Sequence, residues 1–400
     1  MPNVLKVLIS GAGIAGPTLA YWLSHYGMQA TIVEAAPHLR TGGYIIDFFG
    51  AGFEIAERMG LLPEITGRGY RVKEVRVANR KGQRVAGFSA ETFARAAQGR
   101  FTSLPRGDLA ASIFGKIEGK VETIFGDSVT RIDQSPTSVH VSFEKGPARD
   151  FDLVFGADGL HSKVRELVFG AERQYEKYLG YRVAAFEAAG YRPRDELGYV
   201  MYTEVGQQVS RFAMRGDRTM FLFIFEDESI DRAANDSVRD QKALLRKRFG
   251  RSGWECPQIL NALDNSNDLY FDRVSQIRMH PERGLWTRGR VTLVGDAASC
   301  VSLLAGQGSA LAMVAAYIVA GELHRCQGDY SRAFERYQEL FAPFVLKKQE
   351  AALRFAGYFA PRSKISLFMR NRMMSLMKIP WIADLVVGRD IADKIALPEY

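Results

Sequence analysis

The chain has 400 residues, 47% of them apolar and 24% charged, enough to bury a sizeable core in one large or two modest domains. Its net charge of +8 is dispersed, and the densest basic run, Arg246-Lys247-Arg248, is partly balanced by Asp236 and Asp240. With no basic tail and no recognition-helix pattern, no nucleic-acid partner is expected. Three widely separated cysteines, Cys256, Cys300 and Cys326, exclude a disulfide framework and a metal-ligand spacing, and fit a reducing compartment.

The N-terminus enters a strand almost at once, without a basic-then-apolar leader, so a cytoplasmic location is expected. Residues 7–34 read as strand, turn, helix and strand: Val7-Leu8-Ile9-Ser10, then Gly11-Ala12-Gly13-Ile14-Ala15-Gly16, a helical stretch, and Ala30-Thr31-Ile32-Val33-Glu34. Gly11 makes the tight turn, and Gly13 admits a pyrophosphate to backbone N–H groups. Gly16 lets the helix approach the sheet, and Glu34 can accept from a ribose hydroxyl. The diphosphate then lies at the positive end of the helix. Dinucleotide binding is the expected role of this unit.

Gly42-Gly43 leads into a strand at Tyr44-Ile45-Ile46-Asp47-Phe48, and residues 51–60 form a helix stopped by Gly60. The alternation at 73–77 and 83–87 predicts hairpins. Helical spacing returns over 108–117, and Val139-His140-Val141-Ser142-Phe143 alternates as a half-buried strand should. Residues 152–156 form a buried strand, and 175–225 is rich in strands, with 220–225 the most apolar. Leu293-Val294-Gly295-Asp296 is strand and turn, followed by a long helix over 308–326. Its apolar part, around Leu311 to Ala320, is too short to span a bilayer. Residues 330–358 are helical, and 369–387 carry helical, basic, Met-rich spacing. The expected fold is α/β. A Rossmann-like domain (1–72, 100–172 and 280–330) is interrupted by a sheet-rich domain (73–99 and 173–279) and followed by C-terminal helices (331–400).

Two later segments repeat the logic of the first. Asp152-x-x-x-Gly156-Ala157-Asp158-Gly159-x-x-Ser162-x-Val164-Arg165 closes a strand with a carboxylate on a glycine turn. Val291-x-Leu293-Val294-Gly295-Asp296-Ala297-Ala298, then Gly306-Gln307-Gly308, does the same before a long helix. Each Asp alone reads equally well as a turn cap or a ligand contact.

The three together, in this order, resemble the class A flavin-dependent monooxygenases, the p-hydroxybenzoate hydroxylase-like family, over nearly the whole chain. The resemblance implies that Gly11, Gly13, Gly16 and Glu34 bind the ADP half of FAD. Asp296 would contact its ribityl–pyrophosphate part, with Gly306 and Gly308 beside the isoalloxazine ring. Arg106, in Leu104-Pro105-Arg106-Gly107-Asp108-Leu109, together with Arg40 and Asp47, matches further flavin contacts. The Asp158-Gly159 turn matches one tied to FAD and NAD(P)H function. Arg40-x-Gly42-Gly43-x-x-x-Asp47, Gly253-Trp254-Glu255 and Asp268-Leu269-Tyr270-Phe271-Asp272 narrow the resemblance toward the tetracycline-degrading flavin monooxygenases and their uncharacterised relatives, as does the run from Gly295 to Leu323. One departure stands out. The family usually has His or Tyr, then a proline four residues on, where this chain has Ser299 and Leu303.

The resemblance implies a resident FAD, with NADPH or NADH as a transient reductant and O2 as co-substrate. It implies oxygen transfer through a flavin C4a-hydroperoxide to a small aromatic or polycyclic substrate. The cofactor supplies the hard chemistry, so no catalytic side chain and no metal site are assigned, and His161 is read as structural. The substrate wall is expected on the inserted sheet at Phe186, Tyr199, Met201, Arg211 and Phe223. Ordinary sheet core and a solvated Arg211 are the competing reading. The tail from Met369 to Trp381 reads as a pocket lid, or alternatively as a membrane-surface helix. A non-oxygenating flavoprotein dehydrogenase or reductase, which Leu303 favours, and a ligand-sequestering flavin binder stay open. A monomer or homodimer without stable membrane insertion is expected.

Overall fold

The computed structural model describes residues 4–40, 42–91, 95, 97, 99–227, 237–266, 268–280, 285–377, 379 and 395–400. Val7, Leu8 and Ile9 are wholly buried, which places the strand Lys6–Ser10 at the centre of a sheet covered on both faces, as parallel sheets are. Gln29–Glu34 and Glu122–Phe125 extend it on one side. Leu153–Gly156, Val291–Leu293 and the short antiparallel edge Thr287–Arg288 extend it on the other. The crossover helix Ala15–His25 packs against the long helix Gly308–Arg325, whose residues 311–323 are all buried. Close approach is built into the turn. A Cβ on Gly11 (φ 108°) would lie 2.5 Å from the Ala157 carbonyl oxygen, and one on Gly16 would lie 1.9 Å from that of Gly11.

A second, seven-stranded sheet takes its strands from distant segments, in the order Tyr270–Ile277, Glu176–Ala189, Arg218–Glu226, Gln207–Met214, Gly198–Glu204, Glu74–Ala78, Arg84–Ser89. Strand alternation splits its side chains between two faces. Phe186, Phe221, Phe223 and Phe225 point to the outer face, under the helices Val238–Phe249 and Cys256–Asp264. Ala185, Phe212, Met220 and the partly buried Tyr199, Leu222 and Tyr270 form the inner face, against Tyr44 and Tyr70. A two-stranded ribbon, Ile45–Phe49 with Phe101–Pro105, lies beside that inner face.

Tyr330–Phe359 is one long helix packed on Gly308–Arg325. After it, Lys364–Leu376 starts at a capping box on Ser363 and sets Met374 against Val77, Ala86 and Phe88 of the sheet. Its Arg370 reaches the Thr203 hydroxyl (3.2 Å) and the Gln208 side-chain oxygen (3.3 Å). Of the tail helix expected over 369–387, residues 378 and 380–387, Trp381 among them, lie outside the described residues. The C-terminal residues return to the core, where the Tyr400 hydroxyl donates to buried Glu322 at 2.7 Å. Among the described residues no helix is long and apolar enough to cross a membrane.

Candidate functional site

Between the glycine turn and the inner face of the seven-stranded sheet runs a cleft of about 1680 Å³. Gly11, Gly13, Glu34, Arg40, Arg106, Asp158, Asp296, Gly306 and Gly308 all line it. Gly16 stands behind the turn as the packing residue. Asp47 lines an adjoining small cavity with Gly306 and Gln307.

The local chemistry of each follows from its partners. The Glu34 carboxylate accepts the Ala12 N–H at 2.8 Å and the Ala36 N–H at 2.9 Å, which fixes it at the mouth of the turn with lone pairs to spare. Arg40 approaches it at 3.8 Å from an exposed position. Arg106 opens the helix Arg106–Gly115, and its Nη2 lies 3.5 Å from where a Cβ on Gly13 would be. Its guanidinium makes no hydrogen bond or ion pair among the described residues. A cleft-lining guanidinium with donors to spare, over backbone N–H groups at a helix start, fits a diphosphate.

The Asp158 carboxylate accepts from the Ser162 hydroxyl at 2.5 Å and the Val164 N–H at 3.0 Å, so it braces the start of the helix Lys163–Phe169 while facing the cleft. Fully buried Arg165 ties that turn to the next one. It donates to the carbonyls of Leu160 (2.6 Å) and Ala297 (3.0 Å) and pairs with Glu172 (2.9 Å). Asp296 is crowded by protein, which pushes its carboxyl up from the usual carboxylate range, against the pull of Arg106. Its Oδ1 lies 3.6 Å from a Cβ placed on Gly308. Asp47 accepts from Ser103 at 2.5 Å. Residues of all three motifs thus border one cleft.

The substrate wall needs correction. Arg211 is neither solvated nor free to meet a ligand: it is 3% exposed, and its guanidinium is clamped by Glu255 (2.7 and 3.0 Å) and Asp195 (2.6 Å) on the outer face. Phe223 is buried on that same face, its ring 4.8 Å from Phe249. Phe186 stacks on Phe221 at 4.9 Å and also lines the cleft. Tyr199 and Met201 do point inward. Tyr199 packs on Phe212 at 4.7 Å and bonds Ser103, while Met201 joins Met374 and Met377 away from the cleft lining. Alternation put Arg211 and Phe212 on opposite faces, and only tertiary packing decides which face meets the cleft.

The wall that faces the cleft is built instead by Tyr44, Tyr270, Asp272, Cys300, Ser302 and Leu303. The Tyr44 and Tyr270 rings lie 5.7 Å apart, and the Tyr270 hydroxyl donates to Asp272 at 3.3 Å. Burial raises both phenols well above their ordinary value, so they are neutral donors. The signal was the alternation Tyr270-x-Asp272, which puts both on one face. His161 links the two sheets. Its Nε2 meets Asp272 at 3.3 Å and its Nδ1 meets Glu172 at 3.1 Å, and these carboxylates hold the imidazolium up to about 10. The turn holding Leu303 bends without proline: Ser302 takes φ 136° and caps the Leu304 N–H at 3.2 Å.

The FAD binding domain family matches residues 4–332. A flavin-dependent monooxygenase of an unknown prokaryotic organism is 33% identical over all of both chains. An uncharacterized Mycobacterium tuberculosis protein is 38% identical over 86% of this chain and 91% of its own. The crystal structure of tetracycline destructase Tet(51) superposes over both whole chains with a TM-score of 0.83 at 33% identity. HpxO of Klebsiella pneumoniae, complexed with FAD and uric acid, shares the fold at a TM-score of 0.79 and 21% identity, covering 98% of this chain and 97% of its own.

Proposed function

The chain belongs to the FAD binding domain family and is a class A flavin-dependent monooxygenase, and on that premise we propose that it oxygenates a flat, electron-rich aromatic or polycyclic molecule. Relatives named tetracycline destructases make a tetracycline-like polyketide one member of that class to test. NADPH or NADH is the proposed reductant, visiting the cleft transiently. A cytoplasmic monomer or homodimer is the proposed form, with the domain limits given above. The observation that carries the reading is the single cleft joining the glycine turn to the Tyr44–Tyr270–Leu303 wall.

Bound FAD supplies the hydride acceptance and the activation of oxygen. The chain supplies position, charge and dryness. Arg106 and the N–H groups at the start of the helix Ala15–His25 would hold the diphosphate, and Glu34 would accept from the ribose. Asp296 would meet the ribityl–pyrophosphate part, and Gly306 and Gly308 would leave room for the ring. Arg40, Asp47 and Asp158 complete the cradle. Tyr44, Tyr270 and Leu303 offer one wall for an aromatic substrate to lie against and help exclude water from the reacting face. With its proton engaged by Asp272, the Tyr270 oxygen keeps lone pairs to accept from a substrate hydroxyl.

The test follows NADPH and NADH oxidation by the purified holoprotein against a panel of phenols and tetracyclines, reading oxygen, peroxide and product mass together. A product heavier by one oxygen atom, with little peroxide, is expected. Rapid, substrate-stimulated cofactor oxidation that yields only peroxide across the panel would count against the aromatic-substrate reading.

A further inference from the structure

The turn from Ser299 to Gly306 supplies Cys300, Ser302, Leu303 and Gly306 to one wall of the cleft. Little in its own sequence stiffens it: no proline lies between Ser299 and Gly306. Its backbone is held from outside by two buried glutamines. Gln276, 0% exposed and next to last in the strand Tyr270–Ile277, donates from Nε2 to the carbonyls of Val301 and Gln349, both at 2.8 Å. Gln349, 2% exposed and on the helix Tyr330–Phe359, donates from Nε2 to the carbonyls of Ile277 (2.7 Å) and Cys300 (3.1 Å). The Ile277 N–H closes the circuit onto the Cys300 carbonyl at 3.1 Å.

The amide orientations follow from the partners. Arg278 Nε, which can only donate, meets Gln276 Oε1 at 2.9 Å, so the Gln276 nitrogen must face Val301. Arg278 is steadied in turn by Glu350, at 2.9 Å on the same long helix as Gln349. The carbonyls of Cys300 and Val301 are thus both tied into the protein. Without Gln276 the Val301 carbonyl has no donor left among the described residues and is free to turn, and without Gln349 the Cys300 carbonyl keeps only the Ile277 N–H. Both glutamines have the two N–H donors that bridging two carbonyls requires, and neither leucine nor glutamate could replace that donation.

We propose that Gln276 and Gln349 are positioning residues that fix the flavin-side turn at 300–303, so that the C-terminal helix Tyr330–Phe359 sets the shape of the cleft wall. The proposal rests on the FAD-dependent reading above and concerns residues that do not line the cleft themselves.

The test compares Gln349→Leu, Gln276→Glu and, as control, Tyr337→Phe. The control removes a buried hydrogen bond (Tyr337 hydroxyl to Leu293 carbonyl, 3.3 Å) from the same helix without touching the turn. Gln276→Glu keeps size and the contact to Arg278 but loses both donors. The readouts are FAD loss from the holoprotein on serial dilution, followed by flavin fluorescence, the visible spectrum of the bound flavin, and the unfolding midpoint. Each glutamine variant forfeits two buried hydrogen bonds, so FAD dissociation constants about tenfold higher are expected. An altered flavin spectrum should accompany them, with the control at the wild-type value. FAD affinities within about twofold of wild type, or an equal loss in Tyr337→Phe, would overturn the proposal. Should Gln349→Leu fail to fold, Gln276→Glu decides by the same criterion. A wild type that binds FAD yet oxygenates nothing refutes the functional reading alone, because the FAD measurements still stand.

Discussion

Gly16→Ala is the sharpest probe of the cofactor cradle. The added Cβ would lie 1.9 Å from the Gly11 carbonyl oxygen, 3.1 Å from its carbon and 3.3 Å from Ile9 Cγ2. Ordinary contact begins near 3.4 Å, so the oxygen must move by about 1.5 Å. The turn cannot retreat, because Gly11 is itself backed by the Ala157 carbonyl and its N–H is bonded to Val33 at 2.7 Å. The helix Ala15–His25 must therefore lift or the turn must open. Overpacking against side chains costs about 1–3 kcal/mol, and rigid backbone yields less readily. Displacing the N–H groups would also break the charge-assisted bonds proposed to the diphosphate, each worth about 1.5–3 kcal/mol. Losing two of them weakens FAD binding roughly 10²–10⁴-fold. The assay is the flavin-to-protein ratio after desalting, followed by titration with FAD. Gly67→Ala is the control: its Cβ meets nothing within 4 Å, so it should bind FAD normally and be neutral or slightly more stable. A Gly16→Ala protein that keeps FAD at the wild-type ratio would refute the close-approach argument.

Three further outcomes are expected. Arg211→Met leaves Asp195 and Glu255 without their shared cation and should cost about 3–5 kcal/mol, seen as a lower urea midpoint. The folded fraction should keep its FAD, and wild-type stability with a raised KM would instead restore Arg211 to the substrate wall. Arg106→Met should raise the FAD dissociation constant about tenfold or more, since a charge-assisted bond to phosphate is lost. It should also flatten the salt dependence of FAD binding, and an unchanged salt dependence would rule out that contact. For His161 the folded value, about 10, lies above the ordinary 6.5. Its contribution is therefore complete below pH 6.5, shrinks as pH rises through that window, and is gone above about 10. The side chain is 57% exposed, so the effect is screened. The stability gap between wild type and His161→Gln should narrow from pH 6 to pH 10, and a gap that widens would reverse the assignment.

The glycine turn at 11–16, Glu34, Asp158 and Asp296 were legible in the sequence because each acts within a few residues of its own backbone. A positive φ, a strand end or an N–H acceptor two residues away is a local constraint, and local constraints leave a local pattern. The Gly308–Arg325 helix was legible for a related reason: an apolar run of that length has to be buried. The substrate wall followed no such rule. Alternation fixed that Arg211 opposes Phe212 and that Tyr270 sides with Asp272, yet which face turns to the cleft depends on pairings such as Glu74 with Gly198. The outer face was claimed by helices 238–249 and 256–264, which gave Phe223 a core, while Arg211 met Glu255 just before the second helix and Asp195 in the loop before the strand Gly198–Glu204. Gln276 and Gln349 were silent for the same reason. Their partners lie at Val301 and Cys300, and only the packing of a strand and a helix on either side brings the amides to those carbonyls. The sequence by itself determined the dinucleotide cradle, through backbone geometry and hydrogen bonds of short range. The tertiary structure alone decided which sheet face lines the cleft and what supports it, because burial is conferred by whatever long-range neighbour covers a surface.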